Sequence, residues 1–158
     1  MNGSSVQPAY TQENESITAF AYSNKVINLP RPLRTSIGYA VDYPWSESVT
    51  SRLEELIRLQ HGWDGYKGTH VGLPVATFTW SMLEKIIGYD DFAPQIVPGS
   101  SGDLQVEWHT SKGDIELHVR APNNVHAWHD IVGQEQEEEI TITNDFTLVT
   151  NWIKQIKE

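Results

Sequence analysis

The sequence predicts an α+β fold: an antiparallel meander of three to four strands with helices packed on one face, plus an extended N-terminal strap. Three observations predict it. Apolar residues recur with a helical period over 49–60 and 74–87, alternate strictly from residue 104, and return to the helical period over 146–156. Short turn-forming stretches, TSKG, PNN and GQEQE, separate the alternating runs. The order is strap, two helices, strands, one helix, with no internal repeat, which is the order of an α+β domain. Residues 1–45 read as a flexible arm and strap, and residues 46–158 as a single α+β domain.

Each element has its own grounds. Residues 1–24 are rich in Ser, Asn and Gln, and only ITAFAYS within them has the alternation of an edge strand. Pro30, Pro32 and Pro44 remove backbone donors and hold their predecessors extended, so this part reads as an extended strap lying on the domain, anchored by Tyr39, Tyr43 and Trp45. The first helix, capped by Ser46 or Ser48, turns Val49, Leu53, Leu56, Ile57 and Gln60 to one side and stops at Gly62. The second begins at Pro74 and lines up Val75, Phe78, Met82 and Ile86, with Trp80, Leu83 and Ile87 widening the stripe, and ends at Gly88. PQIVP is a short strand. LQVEWH turns Leu104, Val106 and Trp108 inward, and DIELHVR does the same with Ile115, Leu117 and Val119. Gly113 closes the hairpin between them with a positive φ. VHAWHDIV is a further strand whose register over 125–132 stays open, and EEITIT is the last. Asn144 caps a final helix with the stripe Phe146, Val149, Trp152, Ile153 and Ile156.

Composition excludes several functions. The 158-residue chain has no cysteine, which rules out disulfides, thiolate metal sites and a cysteine nucleophile. No basic start followed by an apolar run marks a secretory signal, and no stretch nears the roughly 18–20 apolar residues of a membrane span, so a cytoplasmic location in a bacterial host cell is the expectation. With 21 acidic against 11 basic residues the net charge is −10, which argues against direct nucleic-acid contact and fits a partner with a basic surface. P-loop, dinucleotide, G-x-S-x-G, H-E-x-x-H and zinc signatures are absent, and no cofactor is implied.

Three pieces together resemble a family: GWDGY after a helix, then GDLQVEW within PQIVPGSSGDLQVEWHTSKGDIELHV, then an acid-started terminal helix containing Trp152. They are similar to a group of small bacterial and phage proteins with a G-W-D-G-Y motif and a G-x-L-Q-V-E-W hairpin, and the similarity spans about residues 50–157. In that group an alanine and prolines commonly follow the motif, whereas here Lys67, Gly68, Thr69 and His70 do. The resemblance implies a prokaryotic or phage origin and a mobile-element setting, and no reaction.

Candidate site residues fall into three sets. In the GWDGY loop, Gly62 and Gly65 permit left-handed backbone and Asp64 can accept amide hydrogens, with Trp63 and Tyr66 plugging the core. The other reading is a rim loop in which Trp63, Asp64 and Tyr66, with Lys67, meet a partner. On the hairpin's outer face Glu107 lies near Glu116 and Gln105 near His118. If any metal is bound, Glu107, His109, Glu116 and His118 are the ligands expected, whereas the plain alternative is a solvated sheet face. His126 and His129 fall on opposite faces of their strand, and His61 and His70 flank the GWDGY loop. The acid run Glu135, Glu137, Glu138 and Glu139 is a solvated turn or a patch that competes for a basic groove.

The function expected from these features is a non-enzymatic acidic protein-binding module. Its concrete form is a phage or mobile-element inhibitor of a bacterial defence nuclease complex (anti-CRISPR-like), with Glu107, Glu116 and Glu135–Glu139 facing the basic partner and Trp63 and Tyr66 as anchors. The alternatives are an antitoxin or immunity protein, a metal-assisted hydrolase on the outer sheet face, and a structural homodimer paired through an open sheet edge.

Overall fold

The structure, a computed structural model, describes residues 43–134 and 138–157, together with the backbone of two short strands at 26–28 and 34–36. These two, β1 (Val26–Asn28) and β2 (Arg34–Ser36), pair antiparallel with Ile27 opposite Thr35. Part of the extended strap is therefore a small two-stranded ladder, in keeping with the β-branched residues at these positions. Pro30, Pro32, Tyr39 and the expected edge strand ITAFAYS lie outside the described residues.

Two helices follow, α1 (Ser46–Ile57) and α2 (Leu73–Ile86). Then come β3 (Gln95–Pro98), β4 (Leu104–Thr110), β5 (Gly113–Ala121), β6 (Asn124–Ile131), β7 (Glu138–Ile142) and a last helix, α3 (Thr147–Ile156). The sheet is an antiparallel meander in the order β3-β4-β5-β6-β7. It has five strands rather than three or four because PQIVP joins the edge, with Ile96 opposite Val106.

Alternation decides which face is buried. Leu104, Val106 and Trp108, then Ile115, Leu117 and Val119, then Val125, Ala127, His129 and Ile131 all point inward and are buried. The helices lay their stripes on this face: Val49, Leu53 and Leu56 from α1, Val75, Trp80, Met82, Leu83 and Ile86 from α2, and Val149, Trp152, Ile153 and Ile156 from α3. Burying each such side chain contributes about 1.5–3 kcal/mol before chain entropy is charged against it. Trp45 anchors the start of this body as expected. It stacks on Tyr43 with ring centroids 5.0 Å apart, lies 5.6 Å from Trp80, and donates its indole N–H to the Gly88 carbonyl at 3.2 Å. At the far end Lys157 pairs with the buried carboxylate of Asp91, while Lys112 donates to the Lys157 carbonyl. These contacts tie the last residues of the described chain to the α2–β3 connection and the β4–β5 turn.

Helix ends depart from expectation at three places. Neither Ser46 nor Ser48 caps α1: Trp45 stands at the N-cap without a side-chain cap, and Ser48 donates its hydroxyl back to the Trp45 carbonyl at 2.9 Å. The helix stops at Ile57, not Gly62. Tight i→i+3 bonds from Arg58 to Glu55 and from Leu59 to Leu56 close its last turn, and the Leu56 carbonyl also accepts the amide of Val71 at 3.2 Å. Asn144 does not cap α3: Phe146 stands at its N-cap without a side-chain cap, and Asp145, just before it, accepts the Thr147 hydroxyl at 2.7 Å and the Thr147 amide at 3.0 Å through Oδ1. Those two bonds, the hydroxyl first, hold the Asp145 carboxyl below its ordinary range. Among the described residues no helix is long and apolar enough to cross a membrane.

Candidate functional site

The GWDGY loop is closed by its own backbone. Gly62 donates its amide to the Gly68 carbonyl at 2.7 Å, and Gly65 donates to Gly62 at 2.9 Å. Gly62 and Gly65 have φ of 79° and 83°, a left-handed geometry that favours glycine. Asp64 Oδ1 accepts the amides of Tyr66 and Gly68, each at 2.9 Å. The Tyr66 amide first, then that of Gly68, lowers the Asp64 carboxyl from its ordinary range. The indole of Trp63 donates to the Thr69 carbonyl at 2.9 Å. Asp64 and Trp63 therefore hold the loop together. Tyr66 corrects the core-plug reading: it is 86% exposed, because the left-handed turn at Gly65 swings it into solvent. Its exposure keeps Tyr66, with exposed Lys67, available as an anchor. His61 and His70 stand at the loop's two ends, and both are exposed.

Gly68 is the tightest point of this loop. A Cβ there would sit 2.7 Å from Asp64 Cγ and 2.8 Å from Trp63 Nε1. We expect Gly68→Ala to cost about 1–3 kcal/mol, the usual range for overpacking. A urea titration checks this, and an unchanged midpoint would mean that the loop has slack.

Across the sheet the outward side chains form rows. One row crosses all five strands: Gln95, Glu107, Glu116, Trp128 and Glu139 stand side by side as successive cross-strand partners. Flanking it on one side are Val97, Gln105, His118, His126 and Thr141, and on the other His109, Asp114 and Asp130. The hairpin register read from sequence is the observed one, with Glu107 opposite Glu116 and Gln105 opposite His118. Asp114, Asp130 and Glu139 add to the two glutamates, whereas Arg120 is the one Lys or Arg among the outward residues described in the five-stranded sheet.

The outward histidines are each set against carboxylates. His109 stands between two of them, with Nδ1 3.0 Å from Asp114 Oδ1 and Nε2 3.3 Å from Glu107 Oε2. The Asp114 bond first, then the Glu107 bond, raises its pKa. His118 donates from Nε2 to Asp103, and its Nδ1 accepts from Arg120 Nε at 3.3 Å. Burial alone would push Asp103 up; the His118 bond and the Ser101 amide outweigh burial and leave its carboxyl below the usual range. His126 Nδ1 lies 3.9 Å from Glu139 Oε1. The four ligands of the metal reading are thus divided: His109 engages Glu107, His118 engages Asp103, and Glu116 engages neither. Among the described residues no three His, Asp or Glu side chains converge to hold a metal ion.

His109 makes stability depend on pH, in a direction that can be worked out. Its unfolded value is about 6.5 and its folded value is higher. The stabilisation is therefore complete below the unfolded value and is lost as pH rises through the folded one. The ring is about half exposed, so solvent screening holds the effect to about 0.5 kcal/mol. The stability difference between wild type and His109→Asn should accordingly shrink from pH 6 to pH 8.5 in paired urea titrations. A constant difference would show that the carboxylates do not favour the charged ring.

Strand β6 fixes the register left open over 125–132. His126 and His129 do lie on opposite faces: His129 is buried with its ring centroid 4.3 Å from Trp152, while Trp128 points outward. Trp128 is absent from the residues expected at the site because a tryptophan reads as core. The signal that finds it is the shared parity of Val125, Ala127 and Ile131, which leaves Trp128 on the other face. Of the acid run, Glu135 and Glu137 lie outside the described residues, as does the Glu138 side chain; Glu139 is exposed beside Trp128. The chain matches no family model, no curated protein and no solved structure.

Proposed function

We propose that this chain is a non-enzymatic acidic module that works by occupying a basic surface of another protein. The observation that carries this reading is the distribution of charge on the sheet. The helices take one face, and among the described residues the other presents Glu107, Asp114, Glu116, Asp130 and Glu139 against Arg120 alone. Cross-strand partners such as Glu107 and Glu116 sit on backbones about 5 Å apart, so their negative charges reinforce one another. Such a face attracts Lys/Arg clusters from a distance and speeds their encounter. The finer form of the proposal is a phage or mobile-element inhibitor of a defence nuclease complex. The net charge of −10 and the resemblance carried by GWDGY and GDLQVEW support it.

The test compares capture from a bacterial lysate by wild type and by a Glu116→Lys, Asp130→Lys, Glu139→Lys variant, with quantitative mass spectrometry. We expect a partner with a basic surface to be enriched by wild type and reduced more than tenfold by the variant, with the thermal melt of the variant kept. A partner retained equally by both proteins would refute this placement of the interface. The finer form is tested by co-expression in a plasmid-interference assay against a panel of CRISPR effector complexes, where unimpaired interference throughout would reject it.

A further inference from the structure

We infer that the outer sheet face is a seat for arginine side chains on an extended segment of the partner, with the Trp128 indole as the stacking surface and Glu116, Asp130 and Glu139 as its anionic rim. The inference rests on the acidic-face reading above and specifies the partner chemistry. Trp128 is the only Trp, Tyr or Phe that the described strands turn outward. It stands fourth in the row that crosses all five strands, between Glu116 on β5 and Glu139 on β7, with Asp130 two residues along its own strand.

The state of these neighbours points to a cation. Glu116 and Asp130 have no side-chain hydrogen bond or ion pair among the described residues, and Glu139 reaches only His126 at 3.9 Å. Arg120 is committed to His118 through its Nε. The face thus brings an aromatic surface and free carboxylates together without supplying a cation for them. A guanidinium satisfies both at once: its plane stacks on an indole while its N–H groups fork onto carboxylates. An ammonium is more strongly hydrated and lacks the flat surface, so arginine is favoured over lysine. Alternate side chains of an extended segment recur at about 6.8 Å, which is also the spacing of Glu116 from Asp114 along β5. One such segment can therefore place one arginine on Trp128 and others along the acidic rows.

The experiment is isothermal titration calorimetry of the full chain with hexa-arginine and, at equal charge, hexa-lysine, at about 0.15 M ionic strength. The variants are Trp128→Ala, Trp128→Phe and Glu116→Gln/Asp130→Asn, each checked by thermal melt. We expect hexa-arginine to bind more tightly than hexa-lysine. Trp128→Ala should weaken hexa-arginine about fivefold, the order of a cation–π contact, with Trp128→Phe in between. Equal binding of the two peptides, unaffected by Trp128→Ala but weakened by the carboxylate variant, would overturn the arginine seat and leave the acidic face standing. Binding of neither peptide by wild type would overturn both.

Discussion

Trp108→Ala should lower the stability of the domain by about 3–5 kcal/mol, a large part of the roughly 5–15 kcal/mol that holds a typical domain folded. Trp108 is buried on the inner face of β4 opposite Ile115, one residue beyond the outward Glu107. Its indole N–H lies 3.4 Å from the Phe92 carbonyl, so truncation removes a long, weak hydrogen bond as well as the ring. The surrounding wall is made of strands and helices that cannot close the gap without breaking other contacts, so a cavity is left. Trp108→Phe keeps most of the apolar volume and should recover more than half of the loss. Urea denaturation monitored by far-ultraviolet circular dichroism measures both. A loss under about 1 kcal/mol for the alanine variant would mean that the core beneath the hairpin is loosely packed.

Trp108 also illustrates what is legible in the sequence. Its place follows from alternation summed over LQVEWH and DIELHVR, where every inward residue agrees. The same alternation, with the turn at TSKG, sets Glu107 beside Glu116, which is the pairing observed. Helix stripes are legible for a like reason: Phe146, Val149, Trp152, Ile153 and Ile156 reinforce one another, and all five are buried. The features that pattern misses hang on a single bond. Asn144 is the cap expected from the sequence, but Phe146 stands at the N-cap, and it is the Asp145 oxygen just before it that reaches Thr147. The end of α1 lies at Ile57 rather than Gly62 because Val71, on the far side of the loop, takes the Leu56 carbonyl.

The candidate site divides along the same line. The acidic positions of the outer face are legible because parity assigns them, but their partners are not. Asp103 reaches His118 from a loop before β4, and nothing in the hairpin pattern announces that contact. Trp128 is hidden by its own chemistry: apolarity argues for the core, while the parity of its strand argues for the surface, and parity wins because Val125, Ala127 and Ile131 together bury more apolar area than one indole. In GWDGY the glycines and Asp64 behave as their turn chemistry predicts, while Tyr66 does not, because conformational freedom at Gly65 says nothing about where the next side chain goes.

Gly113→Ala should be about as damaging, at roughly 3 kcal/mol or more, through the backbone rather than through a cavity. Gly113 opens β5 with φ of 143°, a region that L side chains rarely adopt. It also faces the end of β6, where it pairs with Ile131. An added Cβ would lie 2.2 Å from the Asp130 carbonyl oxygen and 2.7 Å from Ile131 Cα. Neither is a side-chain tip that can swing aside, so relief requires β5 and β6 to part at this point. Parting there also disturbs the adjoining cross-strand pairs Asp114–Asp130 and Ile115–His129, the first of which borders the acidic face. Gly113→Ala is therefore expected to weaken partner binding as well as stability, whereas Glu116→Gln touches binding alone. Urea midpoints and hydrogen exchange of the Asp130 and Ile131 amides read the first effect. Exchange rates unchanged at those amides would show that the two strands have room for a methyl group and that the positive φ, not the close approach, is why glycine stands there.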